Sequence, residues 1–401
     1  MVQKRYFFHA SGFDPFDLAA VHRRFVRETA RFATTWNVTA TVSPLRDPCG
    51  EDGHWTVAAE APGWQVETRY EHLDWSDIVR AELAHPTWRR LWDGAVTFVD
   101  IIATGTAGRY FTANWRYGMF FLVPFLDVIL FAVIAAVAGG ALAMVIPSPA
   151  AGAIAAAIVA VLAFGLLLRW PGDRWRVGQG LADWIFARDY MLGRRPDVEA
   201  LIEAFADRVI ACARRGDADE IVIAGHSLGA TIVIDLVARA IARDPLLGRH
   251  GPAVCVLTVG ATIPKLALHP KGEWLRQKVR RIAGEPSLAW AEYQARDDVI
   301  SFHKFDPVRL RRFDTVSEPG GLVIRRLQIH EMLGEASFRR FRFNYMRLHY
   351  QFVMANERRA LYDYFMLLSG PVPFRRTIKQ PNGPDDLFAA DGSLHEPAAP
   401  A

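Results

Sequence analysis

The chain has little cysteine and a small net charge, which removes the common signatures of zinc, dithiol and nucleic-acid chemistry. It has three cysteines, Cys49, Cys212 and Cys255, far apart in sequence and with neither C-x-x-C spacing nor histidines beside them. That excludes the usual zinc and dithiol signatures, and nothing in it requires an oxidising compartment. Cys212 and Cys255 fall in apolar periodic segments and read as buried core thiols. The formal net charge is only +4, with no basic block interleaved with stacking aromatics, so nucleic acid is not an expected partner. After Lys4 and Arg5 only Tyr6-Phe7-Phe8 is apolar, too short for the core of a secretory signal. The amino terminus reads instead as a first strand.

The longest absence is of charge itself. Between Val128 and Leu168 no charged residue occurs, and only Pro147-Ser148-Pro149 interrupts the apolar run. The two halves, Val128–Ile146 and Ala151–Leu168, are each about 18 to 19 residues long, near the lower limit for crossing a hydrocarbon core. Apolarity around every helical face favours a transmembrane hairpin over a buried pair of core helices. Apolar Gly118–Leu126 can extend the first helix towards the interface, in which case Asp127 needs a partner, water or a headgroup position. Arg109 and Arg116 precede the hairpin, Arg169, Arg174 and Arg176 follow it, and the connecting turn has none. This bias puts both long flanking segments on the cytoplasmic side. Trp115, Tyr117 and Trp170 suit the membrane interface.

The rest of the chain reads as alternating strand and helix. Arg5–Phe8 is a strand, Asp17–Phe32 a helix, and Val38–Val42, Trp55–Ala59 and Val66–Tyr70 are strands, with Asp47-Pro48-Cys49-Gly50 as a loop. Trp75–Ala103 is helical and broken at Pro86; Trp75, Trp88 and Trp92 are read as core packing in preference to a carbohydrate platform. Val177–Arg195 is a connector with some helix, and Pro196–Arg215 is an amphipathic helix stopped by Gly216. Strands at Ala253–Val259, Leu288–Ala295 and Leu322–Ile329 follow, then a helix near Glu357–Leu367. The alternation predicts an α/β fold with a mostly parallel sheet and helices on both faces.

Ile221-Val-Ile-Ala-Gly-His-Ser-Leu-Gly-Ala230 stands out within this pattern. A strand runs into Gly225-His226-Ser227-Leu228-Gly229, a G-x-S-x-G turn, and a helix follows to Arg243. Such a turn exposes a serine hydroxyl, and the two glycines prevent clashes where the backbone folds back. A serine nucleophile needs a base, and the base an acid, expected in the order Ser, Asp or Glu, His. Asp298 is the first choice for the acid, with Asp297 and Asp306 as alternatives. His349 is the first choice for the base, with His330 as the alternative; His226 is expected to point away from Ser227. The loop His9–Pro15 reads either as an oxyanion-donor loop through Gly12-Phe13 or as an ordinary turn. Phe338-Arg-Arg-Phe-Arg-Phe343 reads either as a surface helix or as a contact for anionic headgroups.

Gly225–Gly229 with its strand resembles the nucleophile elbow of lipase-like α/β-hydrolases, and Leu257–Thr262 is similar to their next strand and its glycine exit. Trp290–Asp298, Asp306-Pro307-Val308, Arg347–Phe352 and Tyr362–Phe365 resemble a group of uncharacterised bacterial membrane-inserted members. The likeness is specific from about Glu220 to Phe365; the hairpin departs from the common soluble plan. The resemblance implies a hydrolase domain split into 1–110 and 177–370, an inserted hairpin at 118–169 and a loose tail at 371–401. It implies a serine esterase of the bacterial inner membrane, facing the cytoplasm and needing neither metal nor organic cofactor. Ser227 would be nucleophile, His349 base, Asp298 its orienting acid, and the Leu228 and Phe13 N–H groups oxyanion donors for a hydrophobic acyl ester. A catalytically inactive membrane scaffold and an acyltransferase are the rival expectations.

Overall fold

A computed structural model describes residues 1–46, 53–249, 251–313 and 321–395; Cys49 and its loop lie outside them. The chain forms two compact units, Met1–Val79 with Arg195–Ala401, and Arg80–Arg194.

The first unit is built on an eight-stranded sheet. Its strands are β1 (Lys4–Ala10), β2 (Thr39–Val42), β3 (His54–Ala61), β4 (Trp64–His72), β5 (Glu220–His226), β6 (Ala253–Val259), β7 (Leu288–Ala295) and β10 (Leu322–Leu327). The two-residue strands β8 (Phe305–Asp306) and β9 (Arg311–Arg312) form a separate ribbon. The order across the large sheet is β10-β7-β6-β5-β1-β4-β3-β2. Every pair from β10 to β4 is parallel, and β3 runs antiparallel to both β4 and β2. β5 is buried at every position, as a strand covered on both faces must be. After β1 the chain builds one side of the sheet through β4; when it returns at β5 it builds the other. The carboxyl ends of β1 and β5 therefore flank a switch point, where an open α/β sheet leaves a crevice.

At the opposite end of these two strands lies a buried ion pair. Arg5 donates to the Glu220 carboxylate (Nε–Oε2 2.9 Å, Nη2–Oε2 2.8 Å) and to the carbonyls of Leu368 and Gly370. Glu220 also accepts the Phe374 N–H at 2.8 Å. Charge in a buried strand is tolerated because each group finds partners. This corrects the expectation of a loose tail: up to residue 395 the segment is packed, with Phe374, Ile378, Leu387 and Phe388 buried.

Helix limits are set locally. Asp17 caps Leu18–Trp36, its carboxylate accepting the Ala20 N–H, and Gly216 closes Pro196–Arg215 at φ 64°. The helix expected at Glu357–Leu367 is instead Tyr364–Ser369. The Asn356 amide donates to the Tyr362 carbonyl at 2.6 Å and holds the preceding turn. Asp363 then starts the helix by accepting the Met366 N–H at 2.9 Å.

The second unit is helical: Thr87–Ala103, Thr106–Ala113, Trp115–Val145, Pro149–Arg169, Pro171–Arg174 and Val177–Met191. Two of its helices, Trp115–Val145 and the one beginning at Pro149, are long and apolar enough to cross a membrane. They approach closely, since a Cβ on Gly139 would lie 2.4 Å from the Ala156 carbonyl oxygen. The flanking helices, assigned from sequence to the sheet domain, belong here: Trp184 packs on Tyr110, Tyr117 and Phe121, and Arg188 pairs with Asp100 at 2.9 Å. Val177–Arg195, expected as a connector with some helix, is helical from Val177 to Met191. Trp75 is buried as expected, but Trp88 and Trp92 are 70% and 68% exposed. Reading them as core residues is therefore corrected.

Removing Arg5 should leave the buried Glu220 carboxylate without its ion-pair partner. Arg5→Met is expected to lower stability by about 3–5 kcal/mol, with much of it regained when Glu220→Leu is added. Thermal unfolding of the full chain in detergent measures both.

Candidate active site

Ser227 stands between β5 and the helix Leu228–Arg243 with φ 57° and ψ −125°. A non-glycine residue held there costs of order 1–3 kcal/mol, so its surroundings must enforce it. The enforcement is visible on both sides of the serine. A Cβ on Gly225 would lie 2.6 Å from Ala230 Cα, and one on Gly229 would lie 2.3 Å from the carbonyl oxygens of Ala10 and Ser11. Both positions require glycine. The Ser227 N–H donates to the Val259 carbonyl at 3.2 Å, and the Ser227 carbonyl accepts from Thr262 at 3.3 Å, tying the turn to the exit of β6. Ser227 itself remains half-buried.

The loop after β1 lies against this turn, since a Cβ on Gly12 would be 3.0 Å from Ser227 Cβ. The loop is fixed by Trp75, whose indole N–H donates to the Ser11 carbonyl at 3.0 Å and whose ring meets Phe13 edge-on. The Tyr350 hydroxyl donates to the Asp14 carboxylate, joining this loop to the segment that carries His349.

His349 ends the helix Tyr345–His349 and is buried. Its Nδ1 is 2.8 Å from Asp298 Oδ2, while Asp298 Oδ1 accepts the Ile300 N–H at 3.0 Å. A carboxylate only accepts, so Nδ1 carries a proton, and in the neutral imidazole Nε2 then holds the lone pair. Among the described residues that buried Nε2 has no hydrogen-bond partner. The alternatives have other partners. Asp297 accepts the Ile329 N–H at 3.1 Å, Asp306 accepts from Val308 and Arg309, and His330 is exposed with its ring against Phe338.

His226 has a contact that the sequence did not signal. Its Nε2 lies 3.0 Å from the His349 carbonyl oxygen, and the two rings are 4.4 Å apart. The acceptor is a carbonyl, so Nε2 bears the proton. Burial first, then the His349 ring, hold the His226 pKa well below the usual histidine range. A Cβ on Gly260 would come within 3.2 Å of His349 Cε1. The His349 ring therefore has both His226 and Gly260 as close neighbours.

The loop that carries Asp298 is braced by a buried glutamine. The Gln294 side chain spans the loop that carries Asp298, accepting the Phe305 N–H at 3.1 Å and donating to the Phe305 carbonyl and to Glu292, each at 2.6 Å. Thr258 donates to the other Glu292 oxygen at 3.2 Å. Burial pushes the Glu292 pKa up to about 7.

Of the expected site residues, Leu228 follows Ser227 at the helix start and Phe13 lies in the loop that touches it. Among the described residues no group of histidine, cysteine or acidic side chains is placed to hold a metal ion. Comparison with protein-family models, curated proteins and solved structures finds no match.

Two outcomes test this geometry. Gly229→Ala should disrupt the packing of the turn on β1, read as a loss of thermal stability beyond about 3 kcal/mol. Glu292 keeps its proton to about pH 7 when folded and ionises near 4.5 when unfolded. Between these values the folded chain binds more protons, so stability falls as pH rises and levels off above the folded value. Glu292→Gln should flatten that slope, read from melting temperatures between about pH 5 and about pH 8.

Proposed function

We propose that the protein is a membrane-anchored serine hydrolase of α/β-hydrolase type, cleaving acyl esters. The observation that carries this reading is the buried Asp298–His349 hydrogen bond beside a positive-φ serine turn. An imidazole oriented by a carboxylate is the base that a serine hydroxyl needs to become a nucleophile. Ser227 Oγ attacks the ester carbonyl as its proton passes to His349 Nε2, and Asp298 stabilises the resulting imidazolium. The Leu228 and Phe13 N–H groups receive the oxyanion, each donor contributing about 3–4 kcal/mol. Collapse expels the alcohol, which takes the proton from His349. Water then repeats the sequence on the acyl-serine and releases the acid.

The uncharged run Val128–Leu168 supports the anchor, and the arginines around it support a cytoplasmic, inner-membrane location with both helices spanning. A site tethered to lipid suits a hydrophobic acyl chain. His226 is a positioning residue in this scheme, holding the His349 backbone through Nε2 and contacting its ring at a tilt.

A fluorophosphonate probe should label the full chain in detergent and fail to label Ser227→Ala or His349→Ala. Asp298→Asn should slow labelling by about 10³- to 10⁴-fold. A folded protein that never reacts would sink the enzymatic reading and leave a scaffold. Labelling lost in His330→Ala but kept in His349→Ala would reassign the base. For His226, replacement by phenylalanine should slow labelling about tenfold without changing probe affinity, with glutamine partly restoring it.

A further inference from the structure

The helix Thr87–Ala103 presents its apolar face to the outside. Trp88, Trp92, Val96, Val99 and Ile102 are exposed at spacings of three and four residues. Its buried side carries Gly94, Thr97 and Ile101. There Gly94 lies against Leu181, and Asp100 pairs with Arg188. This inverts the pattern of a helix on a water-facing surface. A helix of 17 residues with Arg89, Arg90, Asp93 and Asp100 is also unsuited to span a bilayer.

The same unit indicates what covers this stripe. Phe98 of this helix packs on Phe121 and Phe125 of the first long apolar helix, so the stripe belongs to the body that carries the hairpin. Every exposed tryptophan among the described residues lies in this unit: Trp88 and Trp92 here, Trp115, Trp170 and Trp175 at the hairpin ends. Tryptophan gathers at the headgroup boundary because its ring is apolar and its N–H is wet. Arg89, exposed and paired with Asp93 at 3.4 Å, places charge beside the two indoles.

We infer that Thr87–Ala103 is an in-plane membrane helix, with Trp88, Trp92, Val96, Val99 and Ile102 sunk into the boundary between headgroups and acyl chains. The inference rests on the reading of the hairpin as membrane-spanning. It gives the protein a third lipid contact of a different kind, one that lies in the surface and does not cross it. The contact fixes how the hairpin's base meets the bilayer and resists rotation about the hairpin axis.

The test uses the full chain reconstituted in lipid vesicles, with Cys49→Ser removing one native thiol and leaving buried Cys212 and Cys255. Single cysteines at Trp92→Cys, Val99→Cys, Val137→Cys in the hairpin and Leu246→Cys in the sheet unit carry a fluorophore. A lipid nitroxide just below the headgroups should quench Trp92→Cys and Val99→Cys by about twofold or more and leave Leu246→Cys unchanged, while a deeper nitroxide quenches Val137→Cys. Quenching at Val137→Cys without quenching at Val99→Cys overturns the in-plane helix alone. Absence of quenching at Val137→Cys overturns the spanning hairpin, and the inference with it. Efficient cross-linking of Val99→Cys between copies, with no lipid quenching, would assign the stripe to a second chain and also overturn the inference.

Discussion

The seam between β1 and β5 is the constraint on which the first unit depends. At one end it is closed by charge, where Arg5 and Glu220 satisfy each other and gather the carboxy-terminal segment around them. At the other it is closed by the absence of side chains, where Gly229 lets the helix after Ser227 approach the carbonyls of Ala10 and Ser11. Neither closure tolerates much displacement. The strained serine backbone is affordable only because the seam is rigid at both ends.

This rigidity also explains why the site draws on so many separated segments. Ser227 comes from the exit of β5, its neighbouring loop from β1, Asp298 from the exit of β7, and His349 from a short helix beyond β10. Parallel strands bring their exits to one edge of the sheet, and each exit can then be adjusted by its own loop. Gln294 and His226 are adjustments of that kind: one spans the acid's loop, the other holds the histidine's backbone.

Most of the strands and the turn itself were legible in the sequence, because a buried parallel strand and a glycine-flanked serine leave strong local patterns. Pro196–Arg215, Ala253–Val259 and Leu288–Ala295 have the limits that the pattern predicts. Asp298 and Asp297 were harder to separate, since adjacent residues differ only in the direction their side chains leave the chain. The separation comes from the unrelated N–H of Ile329, which engages Asp297. The role of His226 was not legible, because its partner is a backbone carbonyl more than a hundred residues away. Trp88 and Trp92 were misread for a different reason. Apolar periodicity reports that a helix has two faces, not which of them meets protein, and only Gly94, Asp100 and their partners decide it.

The order of the chain has a consequence for synthesis. β1 lies at the centre of its sheet, yet its partner β5 begins at Glu220, after the entire Arg80–Arg194 unit has been made. Pairing across such a sequence separation is slow and cannot begin until the later strand emerges. The apolar hairpin therefore leaves the ribosome while β1 still has one open edge and no serine turn exists. Both long apolar helices are therefore complete before the sheet is, and the seam that holds the serine turn can close only after they have emerged.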